Sequence, residues 1–123
     1  MNTSYDIMGL LHDTCLKDIN LANNNLQLLF SFYLTDEKEY IVEVNSENIS
    51  DISCVEYLRN NQTQILDIIN TKGSDCIKAE QDKNNIEILF ENIEHDTIIQ
   101  MNYKSQATLI KGNIDQLKAF WDI

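Results

Sequence analysis

Apolar and polar residues alternate along most of the chain, which is the pattern of β-strands that bury one face. The runs CLKDINL (15–21) and LQLLFSFYL (26–34) both alternate, and three asparagines at 23–25 separate them. Because asparagine tolerates left-handed backbone, this order predicts a β-hairpin. A second hairpin is predicted in CIKAEQDKNNIEILFE (76–91), with its turn at DKNN. In its second strand Ile86, Ile88 and Phe90 share one face, opposite Glu87, Leu89 and Glu91.

Further runs favour strands at EYIVEV (39–44), DISCVEYL (51–58), TIIQMNY (97–103) and ATLIKG (107–112). The last two form either two strands or one bent strand. In EYIVEV the residues Tyr40, Val42 and Val44 are expected to face inward. The apolar residues of the segment 62–72 fit either a helix or a strand, and they lean slightly towards strand or mixed structure.

Helix is predicted mainly at the C-terminal end. In NIDQLKAFWDI (113–123) the apolar residues recur at helical spacing, with Asn113 as a possible cap and Trp121 as the anchor. The segment SYDIMGLL (4–11) suits a helical turn. The fold class is therefore mainly β (α+β): an antiparallel sheet of hairpins or a meander with a short C-terminal helix.

The length of 123 residues and a hydrophobic content of 43% predict a single domain, residues 1–123, with one ordinary core. No repeat or linker is apparent in the sequence. No apolar run is long enough to span a bilayer, and the start has no basic residue ahead of its apolar patch. The expected location is therefore the cytoplasm.

Candidate catalytic chemistry is weak. His12, Asp13 and Cys15 lie within four residues, but the β-like run that follows would put His12 and Cys15 on opposite faces of a strand. Local backbone hydrogen bonding at the entry to a strand is the favoured interpretation. His95 and Asp96 fall between two apolar runs, where a loop is expected. We therefore predict no catalytic residues, no metal ligands and no cofactor, since no phosphate-binding glycine loop or metal motif occurs either.

The three cysteines, Cys15, Cys54 and Cys76, are odd in number and widely spaced, with no CxxC pair. A disulfide framework or a structural zinc site is therefore not expected. Buried free thiols are the prediction.

Charge changes the picture most. Twenty acidic residues against nine basic ones give a formal net charge of −11. Nucleic acids and anionic membranes are poor partners for such a surface, because both require lysine or arginine. A basic protein is the favoured partner, since opposite charge speeds association, while affinity requires buried anchors drawn from Tyr33, Tyr40, Tyr57, Tyr103 and Arg59. The candidate partner-binding residues occupy two acidic stretches: Asp36, Glu37, Glu39 and Glu43 in the first, and Glu87, Glu91, Glu94 and Asp96 in the second.

The beginning of the chain resembles bacterial immunity proteins, which are encoded beside polymorphic or contact-dependent toxins. The resemblance rests on Leu11, His12, Asp13, Leu16 and Ile19, a Leu-His-Asp-x-x-Leu-x-x-Ile run, followed by NNNLQLLFSF and a meander of strands. It implies a stoichiometric inhibitor without catalysis, which would cover the active site or substrate groove of a toxin domain, commonly a nuclease. The segment 62–72 and the terminal helix depart from the pattern, and the resemblance carries over no contact residues.

Two other classes of function remain open on the sequence alone. One is a different acidic binding module, such as a nucleic-acid mimic of the anti-restriction or anti-CRISPR type. The other is an enzyme or small-ligand protein. The oligomeric state is not determined by the sequence.

Overall fold

The computed structural model describes residues 7–56, 61–62, 73–92 and 97–122. It is mainly β, as predicted, with one short helix near the C-terminal end of the chain. The strands are β1 (Cys15–Ala22), β2 (Asn25–Tyr33), β3 (Glu39–Glu47), β4 (Ser50–Glu56), β5 (Asn61–Gln62), β6 (Ser74–Asp82), β7 (Asn85–Asn92), β8 (Thr97–Lys104) and β9 (Ala107–Gly112). The helix α1 spans Ile114–Phe120, and a 3₁₀ turn at Gly9–Leu11 precedes β1.

Both predicted hairpins are confirmed. Strands β1 and β2 pair antiparallel around Asn23 and Asn24, whose positive φ angles of 53° and 62° are the left-handed values that asparagine tolerates. Strands β6 and β7 pair in the same way around Lys83 and Asn84. The predicted segment 62–72 lies almost entirely outside the described residues.

The described strands form one antiparallel sheet in the order β5-β4-β8-β7-β6-β1-β2-β3-β9. This order contains a repeat that sequence inspection does not reveal. Strands β1 to β3 form a meander, and so do β6 to β8. The strand after each meander crosses over and pairs with the third strand of the other one, so that β4 lies on β8 and β9 lies on β3. TIIQMNY and ATLIKG are therefore two separate strands in different parts of the sheet.

The two halves also share irregular features. Each first strand carries a β-bulge at the same place, between Leu16 and Asp18 in β1 and between Cys76 and Lys78 in β6. Within the described sheet, β1 of one half pairs with β6 of the other through two residue pairs, one of which is Cys15 with Asp75. Apart from the short strand β5, the described strands thus form two similar four-stranded units that have exchanged their last strands.

The core lies between the two halves, because the sheet folds over onto itself. Phe30 of β2 and Phe90 of β7 are fully buried and stack at 6.3 Å between ring centroids. The Ser46 hydroxyl on β3 lies 3.0 Å from the Tyr103 hydroxyl on β8, although five strand steps separate these strands in the sheet. The inward alternation predicted for β3 is confirmed at Val42 and Val44, which are buried, while Tyr40 is half-buried.

The C-terminal helix is anchored at both of its ends. Trp121 donates its indole N–H to the carbonyl of Leu10 at 2.6 Å, as its predicted anchoring role requires. Asn113 occupies the N-cap position, but its side chain forms no cap bond, contrary to the prediction. Its Oδ1 instead accepts the backbone N–H of Ile41 at 3.0 Å, because the start of the helix is held against β3.

Among the described residues, no helix is long and apolar enough to cross a membrane.

Candidate functional site

The turn between β2 and β3 gathers three of the predicted partner-binding carboxylates. Asp36 accepts the Lys38 backbone N–H at 3.0 Å, and Glu37 has a positive φ of 63° and donates its backbone N–H to the carbonyl of Leu34. Glu39 follows as the first residue of β3. These local hydrogen bonds fix the turn, so that its carboxylates are presented in a defined arrangement.

Two tyrosines flank these carboxylates. The Tyr40 hydroxyl donates to Asp36, and this hydrogen bond holds the Asp36 pKa below its usual value while it raises the Tyr40 pKa. Tyr33 is 59% exposed, and its hydroxyl approaches Glu39 at 3.4 Å. Lys17 from the bulge of β1 also contacts Glu39. We refer to Tyr33, Asp36, Glu37, Glu39 and Tyr40 as the acidic tyrosine surface.

A row of aromatic rings connects this surface to the two ends of the described chain. Tyr40 stacks on Phe32 at 5.9 Å, and Phe32 contacts Phe120 of α1 at 5.4 Å. Phe120 meets Trp121 edge to face, and Trp121 stacks on His12 at 5.6 Å. The Tyr40 and Asp36 side of the acidic tyrosine surface therefore rests on packed aromatic rings, which favours a preorganised binding surface on that side.

Glu43 lies further along β3, and its carboxylate already has hydrogen-bond and ion-pair partners within the chain. It accepts hydrogen bonds from Gln27 at 2.7 Å and Asn45 at 2.6 Å, and Lys111 lies 3.1 Å away. These donors, the Asn45 amide first, lower the Glu43 pKa. A carboxylate with this many partners contributes charge to the outer face of the sheet but offers little free hydrogen-bonding capacity.

The second predicted acidic stretch lies on a different part of the molecule. Glu87 and Glu91 are on the outer face of β7, four strand steps from β3. Glu87 contacts Lys78 at 3.4 Å and accepts from Gln100 at 3.1 Å. Glu91 is exposed and pairs across the strands with Asp75, a second carboxylate that the sequence prediction missed. Glu94 and Asp96 lie outside the described residues, as does His95. The structure therefore places the described carboxylates of the second stretch, Glu87 and Glu91, apart from those of the first.

Tyr103 is not available as an anchor, which corrects one of the sequence predictions. It is only 2% exposed, and burial raises its pKa to about 12. Its ring lies in the core because β8 turns alternate residues inward and Tyr103 falls on the inward set. Tyr57 and Arg59, also considered as anchors, lie outside the described residues. Tyr33 is thus the most exposed aromatic side chain that the structure describes next to predicted contact residues.

The residues of the HDTC stretch make local and packing contacts. Thr14 donates its hydroxyl to the Leu11 carbonyl at 2.6 Å, and the His12 ring stacks on Trp121. The Cys15 thiol bonds the carbonyl of Leu16, and burial raises its pKa, which keeps the thiol protonated. Within the described part of the chain, no group of three or more His, Cys, Asp or Glu residues could hold a metal ion.

All three cysteines are free, and their burial differs. Cys54 and Cys76 are buried, as expected for structural thiols, and desolvation raises their pKa values to about 11 and about 12. Cys15 is half-buried, so the prediction of burial holds only in part for it.

Two outer-face grooves occupy equivalent positions in the two halves. The larger, of about 640 Å³, is lined by amide side chains such as Asn20, Gln27 and Asn45. The smaller, of about 300 Å³, has Glu80, Glu87 and Asn102 at the matching cross-strand positions. At these three matched positions the first half therefore carries only amides, whereas the second half carries two carboxylates and one amide.

No protein-family model and no curated protein sequence matches this chain. Among solved structures, the chain is similar to a crystal structure of an uncharacterized protein from Neisseria gonorrhoeae. The identity is 15%, the match covers 81% of this chain and 91% of that chain, and the TM-score is 0.46.

Proposed function

We propose that this protein is an immunity protein, a cytoplasmic inhibitor without catalytic activity that binds and neutralises a basic toxin domain. The toxin is a nuclease, and the inhibitor covers its active site or substrate groove. The observation that carries the proposal is the acidic tyrosine surface, in which Glu39 lies beside the exposed Tyr33 and the adjoining turn carries Asp36 and Glu37. The resemblance of the Leu-His-Asp-x-x-Leu-x-x-Ile run to immunity proteins supports it independently.

The chemistry of a nuclease explains why an acidic inhibitor suits it. A nuclease presents lysine and arginine side chains to the phosphates of its substrate. Carboxylates on a folded surface can occupy the same positions, and a net charge of −11 attracts such a groove over a distance. Association should therefore be fast at low salt and should slow as salt is added.

Tyr33 supplies what charge alone does not. Interface energy is concentrated in a few desolvated anchors, among which tyrosine is frequent. Tyr33 is 59% exposed in the free protein, and Asp36, Glu37 and Glu39 lie on the same turn or beside it. In the complex its ring would be buried against the toxin, while the carboxylates around it would meet basic side chains.

The test uses the full chain and the toxin domain encoded beside its gene, with association followed by stopped-flow fluorescence. The triple variant Asp36→Asn, Glu37→Gln, Glu39→Gln should lower the association rate by about tenfold at low salt. The variant Tyr33→Ala should mainly raise the dissociation rate, by about tenfold or more. Cells that produce the toxin should be rescued by the unaltered protein and less well by these variants.

The matched control is Glu80→Gln with Glu87→Gln and Glu91→Gln, which removes the same number of charges from β6 and β7 in the other half of the sheet. Equal effects from both sets would show that only overall charge matters and would remove the assignment to the acidic tyrosine surface. Failure of the unaltered protein to bind or to neutralise the toxin would overturn the proposed function itself.

A further inference from the structure

Strand β9 forms one end of the described sheet and pairs only with β3. Its outer-face residues Ala107, Leu109 and Lys111 are exposed, and Leu109, at 61%, is the most exposed large hydrophobic residue in the described part of the chain. A strand at the edge of a sheet can pair with a further strand through its unpaired backbone groups. An exposed leucine at the middle of such a strand strengthens this tendency, because pairing would bury its apolar surface.

The hydrogen bonding of β9 determines which of its backbone groups face outward. Asn113 donates its N–H to the Ile41 carbonyl at 2.9 Å, next to the pair of Val42 with Gly112. Since antiparallel bonds alternate, the odd-numbered residues of β9 bond to β3, whereas Thr108 and Ile110 direct their N–H and C=O groups to the free edge. No residue of the described ranges bonds these backbone groups.

We propose that β9 is a self-association surface and that a second copy of this chain pairs with it antiparallel, strand β9 against strand β9, with the two-fold axis at Leu109. In this register Thr108 of each copy faces Ile110 of the other, so that four backbone hydrogen bonds form from groups that already point outward. The two Leu109 side chains become a non-hydrogen-bonded cross-strand pair, the closer of the two pair types, and they cover each other.

Charge supports the same register. With Leu109 on the axis, Lys111 of one copy lies opposite Ala107 of the other, and Ala107 is paired with Glu47 of β3. Glu47 forms no ion pair with any described residue, whereas Lys111 contacts Glu43 of its own chain at 3.1 Å. In the dimer Lys111 would therefore be shared between Glu43 of its own chain and Glu47 of the other copy. The two-fold axis generates this contact twice.

The neighbouring register, centred on Ile110, fits less well. It would place Leu109 opposite Lys111 and would require Thr108 to bond Gly112 of the other copy. Gly112 has a φ of 109°, which departs from extended backbone. A Cβ at this position would also lie 2.6 Å from the Ile41 oxygen, so glycine is required there. The regular part of β9 therefore favours Leu109 as the centre.

Sedimentation equilibrium of the full chain over a range of concentrations tests the proposal, at about 0.15 M salt so that repulsion between the acidic copies is screened. The expected result is a reversible dimer with twice the 14.3 kDa mass of one chain. Leu109→Asp should raise the dimer dissociation constant by about tenfold or more, since it places two carboxylates opposite each other. Ile52→Asp, at the exposed apolar residue of β4, is the matched control and should leave the constant unchanged.

Exchanging the charges of Lys111 and Glu47 distinguishes this register from non-specific association. Lys111→Glu should weaken the dimer, and adding Glu47→Lys to the same chain should restore it. Circular dichroism of each variant checks that the fold is retained. A chain that stays monomeric at every concentration, or a dimer that Leu109→Asp leaves intact, would overturn the proposal. Neither result bears on toxin binding, which is assigned to a different surface.

Discussion

Gln27 donates its side-chain amide to Glu43 across two neighbouring strands at 2.7 Å, and the other half of the molecule repeats this bond with the two residue types exchanged. There Gln100 donates to Glu87 at 3.1 Å, at the corresponding positions of β8 and β7. A lysine from a further strand completes each pair, Lys111 for Glu43 and Lys78 for Glu87. Both halves therefore contain the same glutamine–glutamate hydrogen bond, but the glutamine is on the second strand of one meander and on the third strand of the other.

Glu43→Gln tests the value of this pair. The substitution leaves Lys111 without its partner and should lower the free energy of unfolding at pH 7 by about 1 kcal/mol. The pKa of Glu43 is lowered in the folded state, so its contribution is present above the unfolded value of 4.5 and is lost as the pH falls through the folded value. Urea unfolding should therefore be less pH-dependent below about pH 4.5 in the variant. Glu91→Gln is the control, and an equal loss of stability there would contradict the assignment.

The stacked pair of Phe30 and Phe90 should hold the two halves together. Either residue changed to alanine should cost about 3–5 kcal/mol, because both side chains are fully buried. A double-mutant cycle in urea should give a coupling energy of about 0.5–1.5 kcal/mol for the stacked rings. Tyr33→Ala, at an exposed ring, should change stability by less than about 0.5 kcal/mol. Strict additivity of the two core substitutions would argue against direct contact between the halves at this point.

Alkaline pH should destabilise the protein through its buried neutral groups. The pKa values of Tyr103, Cys54 and Cys76 are raised by burial to about 12, about 11 and about 12, from ordinary values of 10.0 for tyrosine and 9.0 for cysteine. Above about pH 9 the unfolded chain loses these protons first, so the unfolded state binds fewer protons and the free energy of unfolding falls as the pH rises. The stabilisation from these protonated groups is fully present below their ordinary pKa values and is lost as the pH rises through their raised pKa values.

Thermal unfolding between about pH 8 and about pH 11 measures this effect. In Tyr103→Phe the melting temperature should decrease less steeply with pH above about pH 10. Near neutral pH the same variant should lose about 1 kcal/mol of unfolding free energy, because the contact with Ser46 is removed. Tyr33→Phe, at the exposed tyrosine, should leave the dependence of the melting temperature on pH unchanged. An unaltered alkaline profile in Tyr103→Phe would contradict burial of this hydroxyl.

Trp121 should fasten the C-terminal helix to the 3₁₀ turn near the start of the chain. Trp121→Phe retains an aromatic ring but removes the hydrogen bond to the Leu10 carbonyl, and it should lower stability by about 1 kcal/mol in urea unfolding followed by circular dichroism. Hydrogen exchange of amides in α1 should accelerate. Ala119→Ser, on the exposed side of the same helix, is the control. Unchanged exchange in Trp121→Phe would mean that the helix is held by Leu117 and Phe120 alone.

Local pattern was sufficient for the strands and turns. The alternation of Ile86, Ile88 and Phe90 with Glu87 and Glu91 assigned both faces of β7 correctly, and the Asn23–Asn24 turn followed from the backbone preferences of asparagine. These features depend on residues adjacent in sequence. The assignment of Tyr103 as a possible anchor was wrong, because a tyrosine suits the inside and the outside of a sheet almost equally.

The candidate site was only partly predictable for a related reason. The carboxylates of the acidic tyrosine surface are close in sequence, so the stretch 36–39 could be identified as one group. The pairing of Glu91 with Asp75, the exchange of β4 and β9 between halves and the exposed edge at Leu109 all depend on strand order. Strand order is decided by contacts between residues far apart in the chain, which alternation does not encode.

The sequence by itself thus determined that this chain forms strands, where most of them turn, and that its surface is strongly acidic, because each of these follows from residue type and near-neighbour spacing. Only the tertiary structure decided that the described strands form two interleaved halves, that Glu87 and Glu91 lie on a different half from the stretch 36–39, and that β9 ends the described sheet. The physical reason is that burial of side chains far apart in the chain, such as Phe30 against Phe90, selects one arrangement among many that satisfy the same local pattern equally well.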